Sequence, residues 1–217
     1  MPRRAPWRRP FIYSAADIDA LLEQARQTIV SPLRAATYQT LIGLLAASGL
    51  RIGEAIKLDR GDVDWAQGVL LIRESKFGKS RLVPLHPSCM QALAGYAQLR
   101  DQLQPEAAEP AFFTSLNRKR LLYAVVQLTF RQLIDYVGIG AGAPWPPRLH
   151  DLRHSFAVRT LLGWYRAGED VQAKIPSLST YLGHREPAST YWYLSAAPEL
   201  LALAAARQDT AWQAARS

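Results

Sequence analysis

Apolar positions recur at helical spacing along most of the chain and switch to strand-like runs in one stretch only. Ser14-Ala-Ala-Asp17 is a capping-box signature in which the Ser14 hydroxyl can accept the Asp17 amide proton. Ile18, Leu21, Leu22 and Ala25 then share one helical face. Residues 32–48 are almost uncharged after Arg34, which predicts a helix buried on most sides and ended by Gly49. A shorter helix is expected from Ile52 to about Leu58. Residues 60–85 change character. Asp62-Val63-Asp64-Trp65, Val69-Leu70-Leu71-Ile72 and Arg81-Leu82-Val83-Pro84-Leu85, separated by turns at Gly68 and Phe77-Gly78-Lys79, read as three short antiparallel strands. Helical spacing resumes over 87–104, 121–136, 150–165, 171–182 and 198–215, and 138–147 is a loop rich in Gly and Pro. The pattern predicts one α+β domain, mainly α-helical with a small three-stranded antiparallel sheet.

Composition narrows the function classes. The 217 residues are 49% hydrophobic, enough for a core. The lone cysteine, Cys89, excludes a disulfide framework and a cysteine-rich zinc module, and suits a reducing cytoplasm. No uncharged apolar run approaches the roughly 18–20 residues of a membrane span, and no apolar stretch follows the N-terminal arginines as in a signal peptide. The net charge of +8 is localised. Four arginines and no acid occupy residues 1–13, and eight basic residues face two acids over 111–166, whereas the rest of the chain is near balance. Such localisation favours a polyanionic partner.

Candidate chemistry follows from a few residues. His86 reads as a surface or capping residue at a helix start. His150 and His154 lie four apart on one helical face, a spacing that also suits zinc. Arg153 stands on the same face, however, and a His and Arg pair suits a phosphate better than a dication. Gly78-Lys79-Ser80 resembles the end of a nucleotide-binding loop, but Arg73 occupies the place of its first glycine and the run sits in a hairpin. In Ser48-Gly49-Leu50-Arg51-Ile52-Gly53-Glu54, taken alone, Arg51 and Glu54 read as an ion pair three residues apart. Gly183 reads as a helix stop presenting His184, and the aromatics Tyr191, Trp192 and Tyr193 follow.

The order of these elements carries more than any one of them. Arg51 in SGLRIGE, Lys76 in a hairpin before RLVPL, His150-x-x-Arg153, Leu182-Gly183-His184 and a tyrosine nine residues later resemble the tyrosine recombinase family, also called the phage integrase family. The resemblance covers roughly residues 12–200. It implies the catalytic fold of DNA breaking-rejoining enzymes, with a basic arm over 1–13, a catalytic domain over 14–196 and a C-terminal helix over 197–217 that docks on a neighbouring protomer. Arg51 and Arg153 would clamp the scissile phosphate. His150 would transfer a proton or position the nucleophile, Lys76 would protonate the leaving 5′-oxygen, His184 would hydrogen-bond a phosphate oxygen and Tyr193 would attack. Glu54 and His154 would support the site, with Asp151 a further candidate. Tyr191 and Tyr193 point about 200° apart on a helix, so only one can face the phosphate, and the family interval selects Tyr193.

The resemblance also implies double-stranded DNA as partner, a homo-tetramer assembled on it, no cofactor and a cytoplasmic, nucleoid-associated protein. Arg3, Arg4, Arg8, Arg9, Lys79, Arg81, Arg118, Lys119, Arg120 and Arg148 are the basic residues expected to follow the duplex. Family members commonly carry an N-terminal helical core-binding domain. Here only a short arm precedes the catalytic homology, so that clamp is expected to be missing or supplied separately. The expected activity is integration, excision or transposition. A catalytically silent DNA-binding regulator of the same fold, a type IB topoisomerase, and a metallohydrolase built on His150 and His154 are the alternatives.

Overall fold

The computed structural model describes residues 8–75, 79–105 and 110–184, together with Thr190 and Tyr193. Among these residues the chain forms α1 (Ala15–Thr28), α2 (Pro32–Ser48), α3 (Ile52–Lys57), β1 (Val63–Asp64), β2 (Val69–Ser75), β3 (Lys79–Pro84), α4 (Pro87–Leu103), α5 (Tyr123–Val137), α6 (Leu149–Arg166) and α7 (Val171–Leu182). The expected helix over 198–215, the arm before Arg8, Lys76 and Tyr191 lie outside the described residues.

Local chemistry sets most boundaries. Ser14 caps α1 by accepting the Asp17 amide at 3.1 Å, while the Asp17 carboxylate accepts the Ser14 amide at 2.8 Å. Pro32 sits in the first turn of α2, where its missing amide proton is not needed. His86 caps α4, its Nδ1 accepting the Ser88 amide at 3.3 Å. α2 packs against α1, α4 and α6 and is buried along most of its length, as its uncharged sequence predicts. It ends at Gly49, whose φ of 63° favours glycine; a Cβ there would also lie 2.5 Å from the Phe156 ring.

The sheet has the order β1-β2-β3, all antiparallel, with Leu70 paired to Val83 and Ile72 to Arg81. Strand side chains alternate between faces. Val83 points into the core, so Arg81 shares the inward face and the apolar Leu82 is exposed. Of two isolated bridges, Asp59 with Ala111 ties the 111–122 turn to the segment before β1, and Thr114 with Arg120 closes that turn on itself; nothing in the hydrophobic pattern signals them.

One apolar cluster joins α1, α2, α4, α5 and the sheet, and a second lies between α6 and α7 and includes Tyr193. The packed chain begins before α1. Tyr13 is buried, donates its amide to Ser155 Oγ at 2.8 Å and its hydroxyl to the Arg148 carbonyl at 3.2 Å, and so straps the start of α6. Among the described residues no helix is long and apolar enough to cross a membrane.

Candidate active site

Four helix ends and one strand meet where the two clusters adjoin. α6 starts at Arg148, whose amide donates to the Asp151 carboxylate at 2.9 Å, and this cap directs the first two turns. His150 lies in the first turn. Arg153 and His154 follow one turn later and face the interior. The Arg153 guanidinium is only 2% exposed and donates to the Gly49 carbonyl at 2.8 Å and the Leu182 carbonyl at 2.7 Å. It therefore joins the ends of α2 and α7 across α6.

Arg51 opens α3. It pairs with Glu54 as the local spacing predicts, Nη1 to Oε1 at 2.8 Å, and its Nη2 donates to the Gly183 carbonyl at 3.0 Å. Arg81 reaches the same place from β3, donating Nε to the Tyr181 carbonyl at 2.9 Å. The carbonyls of Tyr181, Leu182 and Gly183 thus each accept from a different arginine. These are orphan acceptors at the negative end of α7, so cations are doubly favoured there.

Gly183 takes the left-handed conformation at φ 68°, and the His184 amide returns to the Ser179 carbonyl at 2.9 Å, closing the turn that presents His184. His184 Nδ1 shares a 2.8 Å hydrogen bond with Thr190 Oγ1. Its ring stacks beside Tyr193 at 6.1 Å between centroids, and the His154 ring lies 5.5 Å from Tyr193 on another side. Tyr193 is buried and hydrogen-bonded to Arg153. His150 and His154 meet edge to face at 4.8 Å. Among the described residues no group of three or more His, Cys, Asp or Glu is placed to hold a metal ion.

The ionisation of these groups follows from burial and from the arginines around them. Burial and then the Arg153 and Arg51 charges lower His184 to about 4. Burial and His150 lower His154 to about 4. Burial and Arg153 lower His150, although the residue as a whole is exposed. Burial and Arg51 lower Arg153 to about 10, so it stays charged at neutral pH. Burial raises Tyr193, against the opposing pull of Arg153 and Arg51. Burial would raise Glu54 too, but hydrogen bonds from Arg81 and the Arg51 amide hold it at about 2. Apart from Glu54, the cluster is desolvated and cationic, and every histidine is suppressed partly by arginine. Such a site favours an anionic ligand.

A pH dependence follows. His154 and His184 titrate near 6.5 when unfolded and near 4 when folded, so below pH 6.5 the unfolded chain binds more protons. Stability should be full above pH 6.5 and fall towards pH 4, with Glu54 extending the loss from about 4.5 towards 2. After solvent screening the histidine pair accounts for on the order of 3 kcal/mol. Thermal melts across this range measure it, and a flat profile contradicts it.

The structure thus brings together Arg51, Glu54, His150, Arg153, His154, His184 and Tyr193. Lys76, Arg3 and Arg4 lie outside the described residues, as does the side chain of Lys79. Of the residues expected along the duplex, Arg9, Arg118 and Lys119 are exposed. Arg8 lies over the Trp145 ring at 5.3 Å and donates to the Pro146 carbonyl. Arg148 is half-exposed and pairs with Asp151 at 2.8 Å. Two residues depart from the expectation. Arg120 holds the Ile56 and Leu58 carbonyls and Asp59, the last at 2.6 Å, as a tie between the turn and α3. Arg81 is turned into the site. Strand alternation with Val83 was the available signal, but the apolar Leu82 beside it masks that alternation.

The fold and this constellation define a class. A family model described as the phage integrase family matches residues 13–199, and the chain belongs to that family, the tyrosine recombinases. It is 45% identical over 218 residues to y4rB of Sinorhizobium fredii, which carries an integrase/recombinase name, covering 98% of this chain and 68% of that protein. It is 32% identical to tyrosine recombinase XerC of Pseudomonas aeruginosa, covering 82% of this chain and 53% of XerC. Among solved structures, XerA recombinase superposes with a TM-score of 0.73 at 26% identity, over 96% of this chain and 67% of that one. The chain thus spans between about half and two thirds of the length of these relatives.

Proposed function

We propose that this chain is the strand-cleaving part of a site-specific DNA recombinase, working through a 3′-phosphotyrosyl intermediate in integration, excision or transposition. The observation that carries the reading is a buried phenol, Tyr193, hydrogen-bonded to the buried Arg153 and flanked by His184, with Arg51 held to the same turn. The names of relatives point the same way: XerH, similar in fold, was solved on a palindromic difH substrate in a post-cleavage complex.

In the proposed reaction a phosphodiester lies against Arg51, Arg153 and His184. The Tyr193 oxygen attacks phosphorus as its proton passes to the His150 side of the site, and the bond from phosphorus to the 5′-oxygen breaks. Charge developing on the non-bridging oxygens falls on two guanidinium forks. The phosphate anion offsets the cationic excess and restores basicity to the histidines. Lys76 delivers the proton to the leaving 5′-oxygen. The phosphotyrosyl link keeps the bond energy, so rejoining requires no ATP. The working form is a homo-tetramer on double-stranded DNA in the cytoplasm, associated with the nucleoid.

A nicked suicide substrate tests this reading. Wild-type protein should accumulate a covalent protein–DNA adduct without ATP and in the presence of a chelator. Salt-sensitive DNA binding with no adduct would assign a regulator instead, and adduct loss on chelation would revive metal chemistry at His150 and His154.

A further inference from the structure

We propose that Arg81 is a positioning residue of the cleavage site, locking Glu54 and the C-terminal turn of α7 together so that Arg51, His184 and Arg153 face one phosphate. This rests on the reading above, in which that constellation cleaves DNA.

The geometry is a closed circuit. Arg81 meets Glu54 fork to fork, Nη1 to Oε1 at 3.0 Å and Nη2 to Oε2 at 2.9 Å. Its remaining Nε donates to the Tyr181 carbonyl at 2.9 Å. Glu54 in turn accepts the Arg51 amide at 3.0 Å and Arg51 Nη1 at 2.8 Å. Arg51 Nη2 returns to the Gly183 carbonyl, two residues from where Arg81 holds the turn. Four donor contacts fill the carboxylate's acceptor capacity. The Arg81 side chain is 12% exposed, too enclosed to run along a duplex.

The circuit determines what Arg51 can do. A carboxylate left alone with one arginine takes both arms of its fork and neutralises it. With Arg81 on both oxygens, Arg51 gains only one side-chain contact to Glu54, and its second nitrogen is directed to the Gly183 turn. One carboxylate shared between two arginines leaves net positive charge for the phosphate. The same guanidinium presses on Gly183, where a Cβ would lie 2.9 Å from Arg81 Nη1 at a φ of +68°. Glycine is therefore required both by the turn and by Arg81, and His184 follows directly.

Single-turnover cleavage of the suicide substrate, with DNA affinity measured separately, tests the proposal. Arg81→Gln should slow cleavage by about 10²-fold while leaving affinity within about 3-fold. The acid limb of its rate profile should move to higher pH, because Glu54 loses the fork that holds it down. Arg81→Lys keeps the charge without the fork and should be about 10-fold slow at unchanged affinity. Arg81→Gln combined with Glu54→Gln should be little worse than the worse single variant, since the two act as one unit. Wild-type cleavage in either Arg81 variant overturns the proposal. So does a matching loss of affinity with a salt slope smaller by about one, the mark of a phosphate contact. Should Arg81→Gln not fold, Arg81→Lys carries the same readouts. A wild-type chain that binds DNA without an adduct would instead sink the recombinase reading. Positioning is then still read by NMR titration of His184, whose pKa should rise from about 4 in Arg81→Lys if the turn is released and stay put if Arg81 does not hold it.

Discussion

Tyr193→Phe should abolish adduct formation on the suicide substrate, a loss on the order of 10⁴-fold or more, while leaving DNA affinity and melting temperature close to wild type. The substitution removes one oxygen and keeps the ring that fills the space between His154 and His184. The packing of the α6 and α7 cluster therefore survives, and the lost hydrogen bond to Arg153 costs about 1 kcal/mol. On the proposed reading Tyr193 is the nucleophile, and no other group among the described residues is assigned that part. In the free protein burial keeps the phenol protonated and only the two arginines work against that. In the proposed reaction attack therefore depends on proton removal within the complex, where the phosphate would restore the histidines. Tyr191→Phe should still form the adduct. An adduct in Tyr193→Phe, seen as a DNA-shifted band on a denaturing gel, would assign the nucleophile elsewhere.

Arg153→Ala should fail twice, in chemistry and in stability. In the proposed reaction the guanidinium stabilises charge that develops on the phosphate, and removing such a donor slows reaction by about 10²–10³-fold. It also satisfies two carbonyls, Gly49 and Leu182, at a site that is 2% exposed. Its removal leaves both acceptors buried and short of a partner, at about 1–3 kcal/mol each. Arg153→Lys separates the two effects. It restores charge and most of the volume, but an ammonium cannot span both carbonyls and the phosphate with planar geometry. Melting temperature should largely recover and cleavage should not. Full cleavage in Arg153→Lys would show that only the charge matters.

Much of this molecule is legible in its sequence because its elements are locally specified. Ser14 and Asp17 form the cap that their spacing predicts, and the uncharged 32–48 run forms the buried central helix. Gly49 and Gly183 end helices in the left-handed conformation that their positions require. The strand-turn-strand reading of 60–85 gives the observed sheet. The Arg51–Glu54 pair and the shared α6 face of His150, Arg153 and His154 follow from helical geometry alone. Arg120 is legible only as a charge in a basic region, and Arg81 only as a charge in the hairpin. Their alternatives, a phosphate outside or a carbonyl inside, differ by contacts made far along the chain. The strap formed by Tyr13 is hidden for the same reason, since its partners are Ser155 and Arg148.

The sequence by itself determined the helices, the hairpin, the residue types needed for phosphate chemistry and their order, all properties of spacings within a turn or two. The tertiary structure decided how those residues are used. Three carbonyls at the end of α7 have no partner within their own helix, and three arginines from α3, β3 and α6 converge to satisfy them. A buried acceptor must be paired by whatever donor the fold brings within reach. That requirement, acting between residues far apart in sequence, turned Arg81 inward and held Arg51 and Arg153 to one turn beside Tyr193.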